Sequence, residues 1–369
     1  MIMKSKEIIR LLEDIAPKKL AESWDNVGIQ LGGFNKNINK LMLALEINID
    51  VVDEAIKEKV DMIITHHPMF FTEIKNINPE TTKGEMIYKL INNNITVYSA
   101  HTNLDASNMG VNDELTRLLD IKDTKILDKV YEEKLYRIIV QVPKSHEDKV
   151  RNAISNAGGG YIGNYSHCTF NTEGYGTFMP REGADPYIGK LGELEKVEEV
   201  SIETVSTEEN LDKIIYEMKK AHPYEEVSYS VYKLINNNNV YGIGRVGNIE
   251  EMTLKDFSKK VKDKLQCNEV RIYGDLNKEI KKVAISGGSG SDFIKNAARE
   301  NVDVYVTSDI KHHDAQEAKE LGLDIIDAGH FYTEKIIMKR LKEYFKGNCN
   351  ADIEIVISKE DNSSHYTSI

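Results

Sequence analysis

Four short stretches hold the side chains best suited to chemistry: THHP at 65–68, AHTNLD at 100–105, TSDIKHHD at 307–314 and DAGHFYTE at 327–334. They supply imidazoles and carboxylates and no thiolate. That mixture suits Zn²⁺, Fe²⁺, Mn²⁺, Co²⁺ or Ni²⁺, whereas Mg²⁺ and Ca²⁺ want oxygen throughout. In two of the stretches a carboxylate follows a histidine four residues later, Asp105 after His101 and Glu334 after His330. A helical turn starting there would bring each pair to one face. His66, His67, His101, His330, Asp105 and Glu334 together offer more donors than one tetrahedral ion with an open position needs. Two ions about 3.5–4 Å apart need a bridging carboxylate, which Glu334 or Asp105 can supply. Such a pair would generate a hydroxide nucleophile near neutral pH and polarise an oxygen or ring nitrogen of a substrate. His-x-x-x-Glu alone is common by chance; the four strand-end motifs together point to a metal site.

Each stretch follows a short apolar run that reads as a buried strand, Met62-Ile63-Ile64 being the clearest. Histidines just past the carboxyl end of an α/β strand sit where such sheets place their ligand crevices. Strands at 41–45, 62–64 and 95–99 alternate with helices at 50–59, 84–91 and 112–119. The same grammar resumes late in the chain, with strands at 269–273, 282–286, 304–307, 324–327 and 352–357 and helices at 254–265, 292–299, 311–320 and 332–345. This predicts an α/β domain with mainly parallel sheets. Between the halves lies a strand at 135–142, a helix at 146–156, strands at 166–171 and 175–180 joined by a tight turn at 172–174, a strand at 197–205, a helix at 208–221 and a strand at 227–234. That order predicts an inserted ferredoxin-like α+β unit. Four asparagines at 236–239 mark its end, so the expected division is 1–129, 130–236 and 237–369. The polar tail at 359–369 is expected to lack order.

Lesser features carry two readings each. SGGSGS at 286–291 either cradles a phosphate on backbone amides or makes a tight turn; it lacks the lysine of a P-loop and the dinucleotide spacing. His312, His313 and Asp314 offer a proton shuttle or a solvated helix start. Trp24, Asp25 and Asn26 line a site or cap a turn. His222 reads as part of a structural turn.

Composition narrows the classes. At 369 residues the chain has room for two or three domains. With 60 acidic against 48 basic residues its net charge is −12, which argues against nucleic acid and anionic membranes as partners. The three cysteines are scattered, without a disulfide framework or Cys-x-x-Cys pair, as a reducing cytosol would have it. The N-terminal helix is amphipathic through Ile8, Leu11, Leu12 and Ile15, and no stretch reaches membrane-spanning length. A cytoplasmic location is expected.

WDNVGIQLG, ITHHPMFF, SAHTNLD, VAISGGSGSDFI, KHHDAQEA and IDAGHFYTE occur in one order along nearly the whole chain. In this the chain resembles the Nif-three-like family, the dinuclear-metal proteins known as GTP cyclohydrolase I type 2 homologues. By that resemblance His66, His67, Asp105, His330 and Glu334 match the metal-ligand positions, with Glu334 the bridge and zinc or iron favoured. His101 matches a histidine beside the metals, either a ligand or an acid/base. The insert resembles the extra domain of longer bacterial members, similar to PII and CutA-type trimeric proteins. The resemblance also implies a toroidal homohexamer with metal sites facing an internal cavity, and a nucleotide-like or other small-molecule substrate, with GTP ring opening as the reaction. Two departures stand out: Leu45-Glu46 where the family has Asp, and Thr307-Ser308-Asp309 where it has Thr-Gly-Asp. Neither is expected to touch a matched ligand, and Ser308 is expected to alter a turn that glycine would tolerate. The leading expectation is a metal-dependent hydrolase in which His101 or His313 shuttles protons. The rivals are a non-enzymatic, metal-stabilised scaffold that senses a small ligand through its insert, and a metal store or carrier.

Overall fold

The computed structural model describes residues 3–236, 239–349 and 352–361. Part of the expected asparagine boundary, 237–238, and most of the expected polar tail, 362–369, lie outside the described residues. Two compact units emerge, one from Met1–Tyr131 with Tyr241–Ile369 and one from Glu132–Val240.

The first unit holds two mixed sheets with parallel centres. In one, the strand order is Glu354–Ile357, Lys40–Ala44, Met62–Thr65, Thr96–Ser99, Gly28–Leu31, and only the last pairing is antiparallel. Met62, Ile63 and Ile64 are fully buried, as a central parallel strand covered on both faces requires. The register Ala44↔Thr65↔Ser99 brings three strand ends level. In the other sheet, Glu279–Ser289, Val304–Ser308 and Asp324–Asp327 run parallel, with antiparallel Val240–Thr253 and Arg271–Tyr273 beside them and Lys122–Glu132 at the edge. One hydrophobic cluster joins both sheets through Leu41, Leu43, Ile64 and Tyr98 on the first and Val283, Ile285, Val306 and Ile326 on the second. Truncating one of these aliphatic side chains to alanine costs about 2–5 kcal/mol.

The second unit is a four-stranded antiparallel sheet ordered Tyr229–Lys233, Leu135–Pro143, Glu195–Thr207, Thr169–Phe178. In chain order this is strand four, one, three, two, the ferredoxin-like arrangement. Helices Glu147–Asn156 and Glu208–Ala221 bury Val150, Ile154, Ile214 and Met218 against Ile138, Val140, Val200 and Ile202.

Several expected elements change. The tight turn at 172–174 is absent; Thr169–Phe178 is one strand, paired through Thr172↔Ser201 and Gly174↔Glu199. Strand pairing holds the glycines extended there, overriding their local turn preference. Lys122–Glu132 and Val240–Thr253 are long strands beyond those expected; lysines, glycines and glutamates break their apolar alternation. The helix expected at 332–345 is two, His330–Glu334 and Ile336–Asn348. Among the described residues no helix is long and apolar enough to cross a membrane.

Candidate metal centre

Level strand ends place the first two histidines. The backbone amides of His66 and His67 donate to the Leu45 carbonyl at 3.0 and 2.8 Å. The Thr65 hydroxyl donates to the His67 carbonyl at 2.8 Å and shares a hydrogen bond with Ser99 at 2.7 Å. His66 Nδ1 donates to the Ala100 carbonyl at 2.9 Å, which puts the proton on Nδ1 and leaves Nε2 with a free lone pair. That Nε2 is buried without a hydrogen bond. It faces Asp105 Oδ1 at 3.5 Å and Glu334 Oε1 at 3.6 Å.

Two short helical turns bring in the rest. Thr102–Ala106 begins at His101, whose carbonyl accepts the Asp105 amide at 3.1 Å. Asn112 steadies this turn by donating to the Asp105 carbonyl at 2.9 Å and accepting the Gly287 amide at 3.1 Å. On the second sheet, Gly329 (φ 80°) turns Asp324–Asp327 into His330–Glu334. There His330 Nε2 lies 3.0 Å from Glu334 Oε2, and His67 Nε2 lies 2.9 Å from the same oxygen. Glu334 comes this close because residue 288 is glycine. A Cβ at 288 would stand 2.2 Å from Glu334 Oε1, and the backbone there is left-handed at φ +64°.

The donors form two triads, His66–Asp105–Glu334 and His67–His330–Glu334, each with ligand atoms within 4.8 Å of one another. Only Glu334 belongs to both, turning Oε1 to one and Oε2 to the other. A third grouping, His66–His67–His101, adds His101. Asp105 therefore meets His66 and Glu334 rather than His101, its neighbour four residues back.

The electrostatics call for positive charge. Burial pushes the His67 imidazole down, but Glu334 and Glu46 outweigh it and raise its pKa to about 9. Burial likewise opposes protonation of His330, yet Asp309 and Glu334 bring it to about 10. Burial lifts Asp105 to about 7. Glu334 is held well below its ordinary value: burial would raise it, and His66, His330 and His67 prevail. The buried Nε2 of His66 and Oδ1 of Asp105 lack hydrogen-bond partners. Buried polar atoms are normally satisfied, and divalent cations taking N and O donors fit these orphans.

Carboxylates and a carbonyl hold the other faces of the rings. Asp309 binds His330 Nδ1 at 2.7 Å. The fully buried carboxylate of Asp25 binds His101 Nδ1 at 3.0 Å and accepts from Thr102. The expectation that the Leu45-Glu46 departure is remote from the matched ligands fails, because Glu46 Oε2 stands 3.7 Å from His67 Nδ1. Ser308 does not strain a turn either. It ends the strand Val304–Ser308 and its hydroxyl anchors the Gly288 carbonyl, while the left-handed residue is Asp309 at φ 60°. In the Gly-Ser segment the Gly287 and Gly288 amides are taken by Asn112 and Thr333, so its glycines serve close approach.

His313 is not brought into the cluster; it is exposed on His312–Glu320 and its ring neighbours His312 at 5.3 Å. Asp309, inside the TSDIKHHD motif, and Asp25, beside Trp24, join the centre only through the histidines they hold. Exposed rings of Trp24 and Phe71 flank His101 at 6.1 and 5.7 Å.

A family model described as Duf34/NIF3 (NGG1p interacting factor 3) matches residues 3–363. The Bacillus subtilis GTP cyclohydrolase 1 type 2 homolog is 44% identical over 363 residues, covering 97% of each chain. Among solved structures, a Bacillus cereus protein related to NIF3 has a TM-score of 0.84 at 40% identity, over 100% of both chains. Staphylococcus aureus protein SA1388 has a TM-score of 0.82 at 30% identity, over 100% of this chain and 99% of that one.

Proposed function

The chain belongs to the Duf34/NIF3 family, and from that premise and the site's geometry we propose that its histidine–carboxylate cluster is a two-metal hydrolytic centre for a nucleotide-like substrate, GTP by the name its relatives carry. The observation that carries this reading is the Glu334 carboxylate, shared by two otherwise separate donor triads. His66, Asp105 and Glu334 Oε1 would hold one ion, and His67, His330 and Glu334 Oε2 the other. The mixed imidazole and carboxylate donor set favours Zn²⁺ or Fe²⁺ over Mg²⁺ or Ca²⁺, which want oxygen throughout. Two such ions supply an ionised water near neutral pH and a Lewis acid for the bond under attack.

The chain's own residues do the rest. Asp25 ties down His101 Nδ1, leaving Nε2 to accept a proton from the attacking water or deliver one to the leaving group. Asp309, Glu46 and the Ala100 carbonyl fix the ring orientations and ligand basicity of His330, His67 and His66. Trp24 and Phe71 offer apolar faces to a planar substrate beside His101. The same proposal includes assembly as a six-chain ring and residence in the reducing cytoplasm, the latter supported by free Cys168, Cys267 and Cys349.

GTP turnover by metal-loaded protein tests the reading. His101→Ala should keep its metal and lose about 10²–10⁴-fold in rate. Metal-loaded native protein that leaves GTP untouched would remove GTP as the substrate. Undiminished turnover by His101→Ala would remove the proton role.

A further inference from the structure

We propose that the Glu132–Val240 unit carries a binding pocket for an organic ammonium ion, walled by the rings of Phe178, Tyr187 and Tyr224 and by the carboxylates of Glu199, Glu225 and Glu226. The pocket lies against the end of the strand Thr169–Phe178, the segment 179–188 that follows it, and the turn after the helix Glu208–Ala221. Its volume of about 470 Å³ is in the range of small-molecule sites.

The rings are set at angles to one another rather than stacked shut. Tyr224 stands 5.7 Å from Phe178 at 63° and 6.3 Å from Tyr187 at 49°. Inclined aromatic faces of this kind attract an alkylammonium through their quadrupoles. The charges agree: the lining has three glutamates against one basic side chain, Arg181. A phosphate- or carboxylate-bearing ligand would meet a net negative wall, whereas a cation with an apolar body would meet rings and carboxylates together.

The site is held in shape. The Tyr224 hydroxyl donates to Glu199 Oε1 at 3.1 Å, and its amide donates to His222 Nδ1 at 3.1 Å. His222 Nε2 in turn donates to the Gln141 carbonyl at 2.9 Å. Glu225 accepts the Asp185 amide at 2.9 Å, fastening the 179–188 segment. Glu226 and Tyr187 are exposed, so both can change without disturbing the core.

Calorimetric titration of the full chain with choline and with its neutral isostere 3,3-dimethylbutan-1-ol tests the assignment. Because the chain's net charge of −12 attracts cations diffusely, the titration belongs at about 0.15 M salt, where such attraction is screened. Choline should bind saturably and about tenfold more tightly than the alcohol. Tyr187→Ala and Glu226→Gln should each weaken it, with the melting temperature and metal content unchanged. Equal binding of the alcohol would reduce the site to an apolar pocket. No saturable choline binding, or binding that neither variant changes, would overturn the proposal.

Discussion

Gly288 shows how tightly the centre is drawn. Its left-handed backbone and the 2.2 Å approach of Glu334 to a would-be Cβ leave no room for a side chain. Gly288→Ala should therefore destabilise the fold by about 1–3 kcal/mol and push Glu334 out of place. Thermal unfolding and metal content should fall together; a variant with native values of both would contradict the packing argument. Asp309→Asn is subtler. It keeps a hydrogen-bond acceptor for His330 Nδ1 but removes the charge, so metal affinity measured against a competing chelator should drop about 10–100-fold. An unchanged affinity would show that Asp309 does not tune the ligand. At this scale the sequence was legible where a histidine or carboxylate follows a buried strand: His66, His67, His101, Asp105, His330 and Glu334 all converge. It was not legible where a residue acts through another ring. Asp25, Glu46 and Asp309 meet histidines 76, 21 and 21 positions away in sequence, a proximity that only the fold creates.

Among the elements, the strands and turns that carry the site were readable because burial on both faces makes them apolar without alternation, as in Met62–Thr65. Lys122–Glu132 and Val240–Thr253 escaped for the opposite reason: tertiary pairing makes them strands despite weak local patterning. The helix-to-strand turn at His222 gives an independent test of the second unit. Its ring must be neutral to accept the Tyr224 amide at Nδ1, and burial, helped by nearby His146, holds its pKa below the ordinary 6.5. The unfolded chain thus takes up this proton at higher pH than the fold does. The contribution to stability is full above pH 6.5 and is lost as pH falls through 6.5 toward the folded value. Hydrogen exchange at the Tyr224 amide, corrected for its intrinsic pH dependence, should accelerate below pH 6.5, and constant protection would contradict this account.

For the molecule as a whole, the central feature is that neither sheet of the first unit makes the centre alone. His66, His67, His101 and Asp105 follow strands of one sheet, and His330 and Glu334 follow a strand of the other. The hydrophobic cluster that joins the sheets is thereby part of what positions the ligands. Assembly is a separate matter: sedimentation should give about six chain masses, and a monomer at working concentration would count against the ring. The most direct test of the centre itself is metal analysis of the native protein beside Glu334→Ala. The account predicts two ions per native chain and loss of both in the variant, because one carboxylate is shared by both triads. Two ions retained in Glu334→Ala, or fewer than one per chain in both proteins, would contradict it.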